Sequence, residues 1–245
     1  AYGRPWTAHE WLSEVIIWLV YSLGGLSGII LWVAAMGFLT FFILYKNCPT
    51  GKPYAAGLSA LFAMVTASIG WSAGPKLFTY LFAAIFVCVL ENWRLGRSKH
   101  QIFILPFISL FWVNLHGGYI LGPALIFIYI AGGFIEKRKG LVPLCAMGAA
   151  SFLAAAVNPQ GVSIWLYPFL QLTSPAQRLY ITEWQSPDFH SLPAWVFMAM
   201  LGTCLFLVIK DKKPLKPTQT LLFLGSGVMG FLSIRQIVVF AILNM

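Results

Sequence analysis

Charge is scarce in this chain of 245 residues: Asp, Glu, Lys and Arg together make 9% of it, where a soluble domain carries roughly 25%. Hydrophobic residues make 59%, which excludes an ordinary water-soluble globule. Acidic side chains are scarcer still, seven in all, so few carboxylates are available for chemistry. Apolar runs are continuous rather than alternating in segments of about ten residues, which excludes a membrane β-barrel. No P-loop, GxSxG, HExxH or Rossmann fingerprint is present, which removes the nucleotide-binding and hydrolase classes built on them. The four cysteines, Cys48, Cys88, Cys145 and Cys204, are widely spaced and form neither a CxxC metal pair nor a disulfide framework. The net charge of +9 is no nucleic-acid footprint, because most of it lies in short loops where it orients helices and meets anionic membrane lipid.

What is there is a series of apolar stretches separated by short hydrophilic breaks. Spans are predicted at roughly 26–45, 54–73, 76–92, 101–115, 118–135, 141–157, 193–209 and 218–234, with a ninth beginning near Gln236. Some are shorter than the ~20 residues a straight span needs. Every second break is basic. Lys46 and Lys52 share one, Arg94, Arg97 and Lys99 another, Lys137, Arg138 and Lys139 a third, and Lys210, Lys212, Lys213 and Lys216 a fourth. Lys and Arg in short loops mark the cytoplasmic side. The expectation is an all-α, polytopic transmembrane bundle of about eight spans in the plasma (inner) membrane. No soluble insertion interrupts 1–245, so one transmembrane domain is expected. The charge rule puts residues before Leu26 outside, and the chain begins without Met and stops within an apolar run at 237–243. A fragment of a larger protein is therefore expected, with an earlier span upstream of Ala1.

Two segments on the outer side break the pattern. Residues 1–25 carry an apolar stretch too short to span, ending at Gly24-Gly25. Thr7 and Glu10 read as a capping box, and His9, Glu10, Ser13 and Glu14 share one side. Leu12, Val15, Ile16 and Leu19 form the apolar side, with Trp6, Trp11 and Trp18 as anchors, so this segment reads as a helix lying in the outer interface. Residues 158–192 form a long outer loop with five prolines, counting Pro193 at its edge. Loops of that length are usually functional or disordered, and Trp165, Tyr167, Tyr180 and Trp184 argue against disorder.

The polar residues on that side each carry a chemical and a structural reading. Glu10 is a candidate base or ligand, or merely the cap. Glu14 has no capping role and is the stronger candidate; His9 beside it either helps hold a divalent metal ion or is simply a solvated histidine. In Asn114-Leu115-His116-Gly117-Gly118 the glycines permit a tight turn with positive φ. Asn114 and His116 then either line an outer cavity or cap helix ends. Asn158-Pro159-Gln160-Gly161 reads as a helix stop. Glu183 and Trp184 suit sugar or metal handling, or else form a surface loop bridged to Arg178. Arg235 is suited to bidentate pairing with a phosphate or to snorkelling, and Lys76 after Gly74-Pro75 is a weaker version of the same case. Gly132-Gly133 and Gly225-Ser226-Gly227 read as helix-packing sites.

Taken together, and in order, these motifs resemble a family. Pro5-Trp6, followed by His9-Glu10-Trp11-Leu12-Ser13-Glu14, resembles the first outer loop of bacterial multi-spanning proteins related to GT-C glycosyltransferases. The run from Trp112 through Asn114-Leu115-His116-Gly117-Gly118 to Gly122 is similar to their internal hairpin. Asn158-Pro159-Gln160-Gly161, Trp165, Glu183-Trp184-Gln185-Ser186-Pro187 and Arg235 follow in the same sequence. The resemblance covers nearly the whole chain. It implies a GT-C-like bundle that moves a sugar from a polyprenyl-phosphate carrier to an acceptor on the non-cytoplasmic face. The family's usual catalytic carboxylate lies near the start of the first outer loop; on the expectation of a fragment that start precedes Ala1, and no Asp stands between Ala1 and Glu10. On this reading Glu14 or Glu10 assists the acceptor or binds metal. Arg235, with Lys76 or Arg178, holds the carrier phosphate, Asn114 and His116 line the pocket, and Glu183 and Trp184 contact sugar. A transporter or flippase would instead place ionisable groups near the bilayer midplane, often within inverted repeats. A non-catalytic assembly subunit is the third possibility.

Overall fold

A computed structural model describes residues 8–48, 51–211 and 214–245, the side chain of Arg178 excepted. Those residues form helices α1 (Trp11–Asn47), α2 (Pro53–Ala67), α3 (Lys76–Arg94), α4 (Leu105–Leu115), α5 (Leu121–Ile135) and α6 (Val142–Ala154). Two short helices follow, α7 (Tyr167–Thr173) and α8 (Pro175–Tyr180), and then α9 (Leu192–Asp211), α10 (Pro217–Leu232) and α11 (Ile234–Leu243). There is no strand among the described residues. Five helices there are long and apolar enough to cross a membrane: Trp11–Asn47, Pro53–Gly70, Lys76–Arg94, Gly117–Ile135 and Leu192–Asp211.

Helix α3 is the hub. It packs on α1, α5, α11 and α4, and Ala83, Ala84, Phe86 and Leu90 are fully enclosed. Helix α11 is apolar on nearly all sides, a pattern that belongs inside a bundle; Ile237, Val238, Phe240, Ala241 and Ile242 are buried against α10, α2 and α3. Where helices come closest, glycine makes the room. A Cβ on Gly132 would lie 2.2 Å from Thr218 Oγ1 and 2.7 Å from its Cα, so α5 and α10 touch nearly backbone to backbone. Gly225 faces open space instead.

Helix α1 runs through the expected Gly24-Gly25 stop with a break at Gly25, whose φ of 55° and ψ of −147° are non-helical and essentially reserved for glycine. Before the break, Leu12 and Ile16 pack on the core while Val15 and Leu19 are exposed. The capping-box reading involves Thr7, which lies outside the described residues; Glu10 is the N-cap residue but makes no side-chain cap bond. The 158–192 segment is mostly helical rather than a loop. Pro168 and Pro175 stand at the first turns of α7 and α8, where the absent N–H has no intrahelical partner to lose.

The helix ends form two polar regions. Lys46, Arg94, Glu136, Lys210 and Lys216 gather at one end, where Asn92 donates to Asn47, Arg138 donates to the Arg94 carbonyl and Thr218 donates to Glu136. Glu10, Lys76, His116, Glu183 and Arg235 lie at the other.

Candidate functional site

Glu10 reaches across to the connection between α4 and α5. The backbone N–H of Gly117 donates to Glu10 Oε1 at 2.9 Å. His9 Nε2 stands 3.2 Å and His116 Nε2 3.7 Å from that same oxygen, and His9 Nε2 is buried without an aligned hydrogen-bond partner. Tyr167, from α7, closes the cluster with its ring centroid 4.0 Å from that of His9. Gly117 and Gly118 have negative φ, so the turn does not need them for a left-handed backbone. They are required by crowding: a Cβ on Gly117 would meet Tyr167 Cε1 at 2.7 Å, and one on Gly118 would meet Thr79 Oγ1 at 2.5 Å and His116 Nδ1 at 2.8 Å.

The protonation of His116 follows from its neighbours. Gly118 N–H donates to His116 Nδ1 at 3.1 Å. Trp112 Nε1–H donates to Thr79 Oγ1 at 2.8 Å, leaving the Thr79 hydroxyl to donate to the same Nδ1 at 2.6 Å. Nδ1 is therefore an acceptor twice over, and the ring proton sits on Nε2, facing Glu10. Burial pushes the imidazole down to about 4, outweighing the pull of Glu10 in the other direction, while Arg235, His9 and Lys76 add to the depression. Burial also raises Glu10, but His9, His116 and the Gly117 N–H together outweigh it and hold the carboxyl below its ordinary range. At neutral pH this is a carboxylate beside a neutral imidazole. Tyr167 is pushed up by burial, with Glu10 adding to the shift and Arg235 opposing it.

Beneath the cluster lies an amide clamp. Asn114 donates to the carbonyls of Leu110 at 2.9 Å and Val157 at 2.8 Å, and its Oδ1 accepts from Trp11 Nε1 at 2.8 Å and Asn158 at 3.3 Å. Asn158 also donates to the carbonyls of His9 and Val113. Asn114 thus spends its hydrogen-bonding capacity tying the start of α1 to the ends of α4 and α6, and it holds His9 and His116 in place rather than offering a free amide to a pocket. The Asn158-Pro159-Gln160-Gly161 stop takes part in the same clamp.

A second polar group adjoins the first. Lys76, at the N-terminus of α3, is paired with Glu183. Trp184 carries the Arg235 guanidinium, 4.8 Å from a ring centroid. The 182–186 segment is fastened to the α10–α11 junction: Ser233 donates to the Glu183 carbonyl at 2.8 Å, Ile234 N–H to Gln185 O at 3.0 Å and Ser186 to Phe231 O at 2.7 Å. With Glu183 engaged by Lys76, half-buried Arg235 makes no hydrogen bond or ion pair among the described residues. The influence of Arg235 and Lys76 on His116 puts the two groups within electrostatic reach of each other.

The structure thus brings together Glu10, His9, His116, Lys76, Glu183, Trp184 and Arg235. Glu14 stands apart, exposed on α1. The Arg178 side chain lies outside the described residues. No group of three or more His, Cys, Asp and Glu that could hold a metal ion occurs among the described residues. Thr79, Trp112, Tyr80 and Tyr167 were not legible as site residues, being an apolar-looking stretch of α3, a tryptophan among ten and two tyrosines on helices. A Cβ on Gly70 would come within 2.8 Å of the Tyr80 hydroxyl and 2.5 Å of Val238, and Tyr80 lies close enough to feel both Arg235 and Glu183. At the opposite end of the bundle a cavity of about 350 Å³ is lined by Leu44, Cys48, Cys88, Cys204, Phe223 and Asn244 among others; none of the candidate residues borders it.

Comparisons with protein-family models, curated proteins and solved structures return no match for this chain.

Proposed function

We propose that this chain is a membrane glycosyltransferase that takes a sugar from a polyprenyl-phosphate carrier on the non-cytoplasmic side of the plasma membrane. The observation that carries the reading is the half-buried Arg235 guanidinium, without an acidic partner among the described residues and within electrostatic reach of the Glu10–His116 pair. A guanidinium stacked on an indole and without an acidic partner is suited to a phosphate, two of whose oxygens its N–H groups can meet in parallel. In the proposed reaction an acceptor hydroxyl attacks the anomeric carbon, and the bond from that carbon to the carrier phosphate breaks. The acceptor proton passes to the Glu10 carboxylate, and the carrier phosphate leaves with its negative charge met by Arg235, assisted by Lys76. Neutral His116, its proton on Nε2, and the Gly117 N–H keep one carboxylate oxygen engaged. The exposed Glu183 edge and the Trp184 ring would contact sugar.

The finer topology belongs to this proposal. Reading the shorter apolar helices Gln101–Leu115 and Val142–Ala154, and α10, as spans beside the five longer ones gives eight and a GT-C-like bundle. The concentration of Lys and Arg at the end opposite Glu10 supports an outward-facing site.

The test is transfer in proteoliposomes supplied with polyprenyl-phosphate sugars, scored as release of polyprenyl phosphate. Glu10→Gln is expected to lower turnover by ~10²–10⁴ and Arg235→Ala by ~10²–10³. Unchanged turnover in both sinks the assignment. Substrate flux without covalent transfer would replace it with a transporter. Neither activity, with a stable partner recovered on purification, would favour an assembly subunit.

A further inference from the structure

The stretch from Gly161 to Ile181 forms an arch with two unlike sides. Its inner side belongs to the site: Ile164 is fully buried and its carbonyl accepts from Tyr119 at 2.7 Å, Pro168 is buried, and Tyr167 lies on His9. Its other side presents Val162, Leu166, Phe169, Leu170, Leu179 and Tyr180, each more than half exposed, from 62% to 83%. Helices of seven and six residues are about 10 Å long and cannot cross a bilayer.

An apolar surface of this size is not a stable face toward water, and two features identify what covers it. The first is continuity with the lipid-facing surface. Trp165 stacks on Phe152 of α6, centroids 4.7 Å apart and planes 10° from parallel, and α6 and its end expose Phe152, Leu153 and Val157, so the exposed apolar surface passes from helix to arch through this stack. The second is how the arch treats its polar groups. Residues 158–181 contain one charged residue, Arg178. The hydroxyls of Ser163 and Thr173 donate to the arch's own carbonyls, of Gln160 and Phe169, each at 2.7 Å, and the backbone is helical over most of its length. Gln177 Oε1 is the exception, buried without a hydrogen-bond partner; a mostly helical backbone that pairs with itself is what hydrocarbon demands. A lid moving through water has no such need.

We propose that residues 161–181 are sunk into the bilayer leaflet at the Glu10 end of the molecule, with Val162, Leu166, Phe169, Leu170, Leu179 and Tyr180 among the acyl chains. The arch is a re-entrant membrane element. Its membrane face and the Glu10–His116 cluster are two sides of one structure. The inference stands on the membrane-spanning character of the chain and is independent of the reaction proposed for Glu10.

The test places the photo-crosslinking residue p-benzoylphenylalanine at Leu170 and, separately, at Leu179 in the full chain, reconstituted in phosphatidylcholine–phosphatidylglycerol vesicles. Leu31 on α1, 70% exposed, serves as the lipid-facing reference, and His190, whose side chain is 96% exposed, as the aqueous one. After irradiation, intact-mass spectra are expected to show single-phospholipid adducts at Leu170 and Leu179 in yields comparable with Leu31, and none at His190. Adducts at Leu31 but at neither arch position would overturn the proposal, as would cross-links from the arch to a second protein chain. Both arch positions are exposed, so misfolding is not the expected result; a variant that failed to give a monodisperse protein would be replaced by labelling at Phe169, which reads the same face.

Discussion

The protonation of His116 offers a measurable consequence of how the cluster is built. Its imidazole is held down to about 4 by burial, with Nδ1 occupied by the Thr79 hydroxyl and the Gly118 N–H. An unfolded histidine titrates near 6.5. Above that pH the ring is neutral whether the chain is folded or not, and the stability it contributes is fully present. As the pH falls below about 6.5 the unfolded chain takes up a proton that the folded chain refuses until about 4. Stability is lost across that window, by about 3 kcal/mol at its lower end. Glu10, whose carboxyl is also lowered, contributes stability that is lost as the pH falls through its ordinary value, so the difference between the wild-type and His116-substituted proteins from pH 7.5 to 4.5 reads this histidine. For a chain of this size the loss corresponds to a melting-temperature drop of roughly 6–12 °C. The assay is thermal unfolding in nanodiscs, followed by tryptophan fluorescence, for the wild-type chain and His116→Gln. The substituted protein is expected to start less stable but to lose markedly less on acidification. Equal pH slopes in the two proteins would refute the reasoning, and so would a ¹⁵N histidine spectrum placing the ring proton on Nδ1.

Other consequences follow from the same contacts. Asn114→Ala would strand buried partners on α1, α4 and α6 and is expected to destabilise the fold by about 2–4 kcal/mol, read as a melting shift; a loss under about 0.5 kcal/mol would show that the clamp carries no weight. Gly118→Ala, whose Cβ would press on Thr79 and His116, should cost about 1–3 kcal/mol and raise the His116 pKa by disrupting its acceptor geometry, which NMR titration can check. A double-mutant cycle on Lys76 and Glu183 should give a coupling of about 1 kcal/mol, since Glu183 is 45% exposed and solvent weakens such pairs; zero coupling would mean that the 182–186 segment is held by its backbone bonds alone. Glu14→Gln, in contrast to Glu10→Gln, is expected to leave transfer within about twofold of wild type, because its exposed carboxylate makes no electrostatic stabilisation of the site. A loss as large as that of Glu10→Gln would return Glu14 to the chemistry.

The helical character, with runs long and apolar enough to cross a membrane, was legible because it is written in one dimension. A continuous apolar run announces a helix to lipid, and the predicted 76–92 and 118–135 lie within the observed Lys76–Arg94 and Gly117–Ile135. The packing role of Gly132 was equally readable. The arch was less so. The five prolines between 158 and 193 suggested a loop, yet a proline in the first turn starts a short helix as readily as it ends a long one, and only the path of the chain separates the two. The glycines after His116 suggested a positive-φ turn, whereas they answer to the bulk of Tyr167 and Thr79, which come from other helices.

The amino-acid order by itself determined that this chain is a bundle of apolar helices with its basic residues gathered between alternate runs, because the hydrophobic effect and loop charge act locally along the sequence. It also named a small set of polar residues at the opposite helix ends. The tertiary structure decided which of them meet. Glu10 and Glu14 are one helical turn apart and differ little as sequence, but α1 turns Glu10 toward the α4–α5 connection and Glu14 toward the outside. Thr79 reaches His116 across 37 positions, Trp11 reaches Asn114 across 103, and Arg235 finds an indole in place of an acid. Such contacts depend on the rotation and depth of whole helices, which are set by side-chain packing throughout the bundle and not by the neighbours of any one residue.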